Sequence, residues 1–132
     1  MALRSTKHNR MIFFASIFVA FLSALWDSAT IRKKRTLNHY LHAGIRAAVY
    51  VLLAFGMGLS PLMIAAGWFL VTPAHRLLLN GMMGWAMFYI GSTSWYDKIL
   101  HWIAAKLSID EIGQFITVFE VFIFACIAIF AI

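Results

Sequence analysis

Residues 47–74 read AAVYVLLAFGMGLSPLMIAAGWFLVTPA, 28 residues between Arg46 and His75 without one formal charge. A helix needs roughly 20 apolar residues to cross a bilayer, so this run exceeds the requirement. Ser60-Pro61 divides it. A serine side chain accepts from the free N–H groups of a helix start, and proline is tolerated at the first helical position, where its missing N–H needs no partner. The run therefore reads as one helix that ends near Gly58 and another that starts at Pro61. Working outward, Met11–Leu25 and Leu77–Tyr96 are also uncharged, and the stretch from Ile112 to Ile132 is broken only by Glu120.

The composition agrees. Of 132 residues, 63% are apolar and 12% charged, against about 25% charged in soluble domains. A soluble fold of this size could not cover that apolar surface. In lipid the backbone must satisfy its own hydrogen bonds, which leaves helices or a closed barrel. The apolar runs are continuous and do not alternate with period two, so the fold class is all-α, a polytopic membrane helical bundle. One integral membrane domain over 1–132 is expected, with about four transmembrane helices at 11–31, 39–58, 61–80 and 110–132. Residues 81–107 then form an interfacial segment that includes one amphipathic helix.

Each span has readable edges. In the first, Ser16, Ala20, Ala24 and Ser28 recur every fourth residue and make a ridge of small side chains. Lipid tails are as apolar as leucine, so close backbone approach drives helices together, and such a ridge predicts a packing face. Thr72-Pro73 repeats the Ser-Pro signal, but a break there leaves a helix too short to span. The third helix is expected to continue through a kink and carry His75 and Arg76 to the interface. Gly81, Gly84 and Gly91 make 81–94 a poor regular helix, re-entrant or interfacial and rich in aromatics. Over 95–107, Lys98, His101 and Ala105 share one face while Ile99, Trp102, Ile103 and Leu107 take the other, as in a helix lying among headgroups. Ser108-Ile-Asp-Glu111 reads as a capping box for the last helix.

The net charge of +6 gathers at the ends of the apolar runs. Arg32, Lys33, Lys34, Arg35, Arg46, Arg76 and Asp97 are expected at the interface, setting topology or touching anionic lipid rather than nucleic acid. The basic residues put the middle loops in the cytoplasm and both termini outside. The basic start followed by an apolar run mimics a signal peptide but reads as a retained span. Cys126 is the one cysteine, so no intrachain disulfide forms.

Glu120 is the sharpest candidate for function. It falls near mid-membrane, where ionisable residues mark ion paths or proton relays by default. Gly113, Thr117 and Glu120 share a stripe turned toward protein, and Phe115, Phe119 and Phe122 point elsewhere, toward lipid. The alternative is a protonated Glu120 making one interhelical hydrogen bond. Asp27, Arg46, Arg76 and Asp97 can pair across helices, and Asp97 with His101 along one. His39 and His42 share a face with Asp27 nearby, but two histidines are too few for a metal site. All five histidines fall near helix ends, which argues against haem, so no metal or cofactor is expected. Phosphate loops, catalytic triads and paired-carboxylate motifs are absent from the sequence, so no enzyme is read.

Arg76-Leu-Leu-Leu-Asn80 followed by Phe88-Tyr-Ile-Gly-Ser-Thr-Ser-Trp-Tyr-Asp97 resembles a pattern in small membrane proteins of bacterial viruses. There an Arg and an Asn precede a Tyr-x-Gly-x-Thr-Ser-x-x-Asp run, and Leu25-Trp-Asp27 and Asn38-His39 also fit. The resemblance implies a virus-associated membrane protein and carries no catalytic residues; the surrounding segment here is more apolar than in that pattern. HAGIRAAV, from His42, resembles the membrane anchor of succinate dehydrogenase, but the spacing of His39 from Gly44 differs, no Asp follows, and the span count differs. The expected function is a non-enzymatic structural or assembly subunit in a bacterial inner membrane or a virion membrane, associating with its own copies or other membrane subunits. The alternatives are a small oligomeric ion or proton channel lined by Glu120, and a membrane anchor of a redox complex.

Overall fold

A computed structural model describes residues 2–33, 38–91 and 95–131. These form five helices: α1 Ala2–Arg32, α2 His39–Gly56, α3 Pro61–Met83, α4 Trp95–Leu107 and α5 Ile112–Ala131. Among the described residues there is no strand. Arg10–Arg32, Pro61–Met83 and Ile112–Ile129 are each long and apolar enough to cross a membrane.

Helix α3 is the centre of the bundle. Ser60 caps its start by accepting from the Met63 N–H at 3.3 Å, with Pro61 at the first turn. The helix does not end at Pro73, which is buried inside it. It runs to Met83 and stops at Gly84, whose φ of 70° is the left-handed conformation that closes a helix end. Beyond it, the Asn80 amide donates to the carbonyls of Met87 and Tyr89, at 2.8 and 3.0 Å, and folds the connector back.

The contacts set the helix directions. Ser16 meets Gly67 and Asp27 meets His75, so α1 and α3 run parallel. Helix α2 runs back between them, pairing His42 with Asp27 and Arg46 with Ser23. Helix α5 is antiparallel to α3, with Gly113 against Phe88 and Glu120 against Arg76.

Ser16, Ala20, Ala24 and Ser28 are all buried, and α1 lays that ridge on α3. The close approach centres on Gly67, where a Cβ would overlap the Tyr50 hydroxyl and the end of Ile12. Tyr50 is itself buried and donates to the Ile64 carbonyl at 2.7 Å. Ile12, Val19, Met63 and Val71 complete this core, and Phe124 of α5 packs on it.

The starts of α1 and α5 differ from expectation, while α4 covers the expected 95–107. Helix α1 starts at Ala2, nine residues before Met11, because the basic start continues the same helix. Ser108 does not cap α5. It has a φ of 52° after α4, while the Ile109 N–H returns to the Ala104 carbonyl. Helix α5 instead begins at Ile112, with the Glu111 carbonyl accepting from Phe115. In α4 the buried side chains are Leu100 and Ala104, packed with Ile90 and Ile112. Ile99, Trp102 and Leu107, the expected apolar face, are exposed.

Candidate functional site

Asp27 is the acidic centre of the bundle, 1% exposed. It lies on the row of α1 beside the small ridge, four residues beyond Ser23. The His42 Nδ1–H donates to one of its oxygens, and the His75 Nε2–H donates to the other at 2.7 Å. Arg46 adds Nη2 to that second oxygen at 3.4 Å and donates Nε to Ser23 Oγ at 2.7 Å. One carboxylate thus ties α1 to α2 and α3. Trp26 covers His42 with a stacked ring, 3.7 Å between centroids.

Glu120 is the second centre, also buried. Its Oε1 accepts from Arg76 Nη2 at 3.0 Å and from the Tyr96 hydroxyl at 3.4 Å. Arg76 Nη1 donates to Thr117 Oγ1 at 3.1 Å, and that hydroxyl donates to the Gly113 carbonyl at 2.7 Å. Glu120 Oε2 is sealed and has no partner among the described residues. Tyr96 lies on α4, outside the three long apolar stretches. Burial, together with the Glu120 carboxylate, pushes its phenol above its ordinary pKa.

The two centres neutralise themselves: Asp27 against Arg46, Glu120 against Arg76. An unpaired charge buried at this depth would cost several kcal/mol. Arg46 and Arg76, expected at the interface, therefore point into the bundle. Each sits seven residues inside its helix end, and each meets a carboxylate there. His42 and His75, expected near helix ends, are buried with Asp27 for the same reason.

Arg32, Lys33 and Asp97 are the other charges expected at the interface that the structure describes. Arg32 is exposed and donates to the Met82 carbonyl; Lys33 is exposed. Lys34 and Arg35 fall outside the described residues. The Asp97 carboxylate lies against Gly91, and His101 Nε2 donates to the Gly91 carbonyl at 3.1 Å. Among the described residues there is no group of three or more candidate metal ligands.

Both centres border one cavity of about 690 Å³ over the C-terminal half of α3. From Ser23 back to Ile12 the described interior carries no charged side chain. The polar site occupies one half of the bundle and an apolar core fills the other.

Sequence reasoning found Asp27, Arg46, Arg76 and Glu120 and set His42 near Asp27, but missed the partners Ser23, His75 and Tyr96. The four-residue step from Ser23 to Asp27 is the signal that places both on one row of α1, next to the small ridge. Nothing local in the sequence brings Tyr96 to Glu120. Comparison of the chain with protein-family models, curated proteins and solved structures finds no match.

Proposed function

We propose that this chain is a non-enzymatic integral membrane protein with four spans and an interfacial α4, acting as a structural or assembly subunit in a bacterial or viral membrane. The observation that carries the reading is the capping of Glu120 by Arg76 of the same chain. A carboxylate lining a shared pore would face its copies around an axis; this one is spent on holding α5 to α3. The apolar layer around Tyr50, Gly67 and Val71 lies across any route from the polar half to the far side.

The parallel course of α1 and α3 supports α2 as the fourth span. Two parallel spans in sequence need a return crossing, and α2 is the segment between them. Its 18 residues rise about 27 Å, close to the hydrocarbon thickness. Its one charge, Arg46, is compensated by Asp27. The exposed Ile99, Trp102 and Leu107, with Lys106 5.9 Å from the Trp102 ring centroid, suit a helix at the headgroup level.

The test is proton and ion flux in liposomes holding the folded protein or Glu120→Gln. The expected result is no flux above protein-free vesicles from either. Flux that depends on Glu120 would overturn the structural reading in favour of a channel.

A further inference from the structure

The cavity beside the ion pairs has the dimensions and wall chemistry of a ligand site. Its volume of about 690 Å³ falls within the roughly 300–1,000 Å³ typical of small-molecule pockets. We propose that it binds a neutral lipophile whose flat ring carries carbonyl oxygens, held by the guanidiniums of Arg46 and Arg76 between tryptophan and tyrosine rings.

The hydrogen-bonding capacity left over points to an acceptor. Arg46 uses Nε and Nη2 within the chain, and Arg76 uses Nη1 and Nη2. Arg46 Nη1 and Arg76 Nε have no partner among the described residues, and neither is a sealed orphan. Both side chains line the cavity. A guanidinium carries five N–H donors and no acceptor, so what it offers a ligand is a place for oxygen.

Charge then selects among oxygen ligands. Each arginine is already balanced by a carboxylate, so a ligand anion would bring an uncompensated charge into the bundle. A carbonyl accepts the same N–H groups without that cost. The walls favour a ring, because Trp68, Trp85, Tyr89, Tyr96 and Phe119 line the same space. Aromatic faces stack on flat groups and gain beyond simple burial.

Depth argues against a phospholipid headgroup. Arg76 lies seven residues before Met83, about 10 Å inside the end of α3. Phosphates sit outside the roughly 30 Å hydrocarbon core, which α3 barely exceeds at about 35 Å. A carbonyl-bearing ring dissolves in hydrocarbon and can reach that level. Helices α2 and α5 both line the cavity, through Ala43 and Arg46 on one side and Ile116 and Phe119 on the other, and make few contacts with each other among the described residues, which leaves a lateral way in.

The site does not depend on the subunit role, and its test is binding. Duroquinone and durene, the same methylated ring with and without carbonyls, would be titrated calorimetrically into the purified full chain in detergent. Duroquinone should bind saturably, and durene at least about tenfold more weakly, as hydrogen bonds to charged donors imply. Ala43→Phe puts a ring into the cavity from α2 while keeping every ion-paired residue, and should abolish binding while circular dichroism is unchanged. Asp27→Asn with Arg46→Gln removes one donor without leaving its partner charged and should weaken binding about tenfold or more. Equal binding of durene, unchanged binding in Ala43→Phe, or displacement of duroquinone by equimolar palmitate would each overturn the proposal.

Discussion

Helices α1 and α3 meet twice, and differently. Toward one end they touch through the Ser16 hydroxyl and the Gly67 carbonyl, with the Tyr50 hydroxyl and the end of Ile12 in the space a Cβ at Gly67 would take. Toward the other they touch through Asp27 and His75, with Arg46 and His42 from α2 closing the group. The first contact needs small residues, because lipid supplies no hydrophobic drive between helices. The second needs charge balance, because an ion left alone there is costly. One helix pair thus combines a shape-determined half with a charge-determined half, and only the second has a cavity beside it.

The comparison breaks most sharply at Asp27. Asp27→Leu removes the acceptor of three donors and leaves Arg46 buried and unpaired. A loss of about 3–5 kcal/mol is expected, read as denaturant unfolding of the detergent-solubilised protein. Asp27→Leu with Arg46→Met should recover much of it. If the single variant is as stable as wild type, the charge-determined half is not what holds α2.

Gly67→Ala strikes the other half. Its Cβ would overlap Tyr50 and Ile12, both fully buried, so neither can simply swing away. Overpacking of this kind costs about 1–3 kcal/mol. Adding Tyr50→Phe removes the nearest atom and should restore part of the loss, measured in the same unfolding assay. Failure of that rescue would mean that the approach at Gly67 is looser than its geometry.

Glu120→Gln is milder. The amide oxygen still accepts from Arg76, and the amide nitrogen replaces an oxygen that has no partner. What is lost is the balance of the Arg76 charge, and the new amide N–H groups are sealed without an acceptor. Because Arg76 keeps one acceptor, a loss of about 2–3 kcal/mol is expected, below that of Asp27→Leu. A loss as large as that of Asp27→Leu would show that the two centres act as one network.

The shape-determined half was legible in the sequence. The Ser16-Ala20-Ala24-Ser28 spacing places a packing face on α1 whatever its partner, since period and residue size are local properties. Ser60-Pro61 marks a helix start for the same reason. The charge-determined half was legible only as residues. Arg46 and Arg76 read as interfacial, because an arginine in an apolar run is normally near its end. Their true depth depends on carboxylates brought in by other helices, Asp27 and Glu120. Continuation of α3 through Pro73 to Met83 moved Arg76 inward as well. What the helical period of α4 does not reveal is that Leu100 and Ala104 pack on Ile90 and Ile112 while Ile99, Trp102 and Leu107 stay exposed.

The smallest effect tests the junction of α4 with the charged half. Tyr96 donates to Glu120 Oε1, so ionising the phenol would set two negative groups against each other. Burial and that carboxylate raise its pKa above the ordinary 10.0. Below pH 10 the phenol is protonated in both the folded and unfolded chain, and its contribution to stability is fully present. As pH rises past 10 the unfolded chain releases the proton first. The contribution then declines and is lost as pH passes through the higher folded value. The tyrosinate absorbance of wild type minus Tyr96→Phe should therefore titrate with a midpoint above 10. A midpoint at or below 10 would remove the Tyr96–Glu120 contact as a tie between α4 and the charged half.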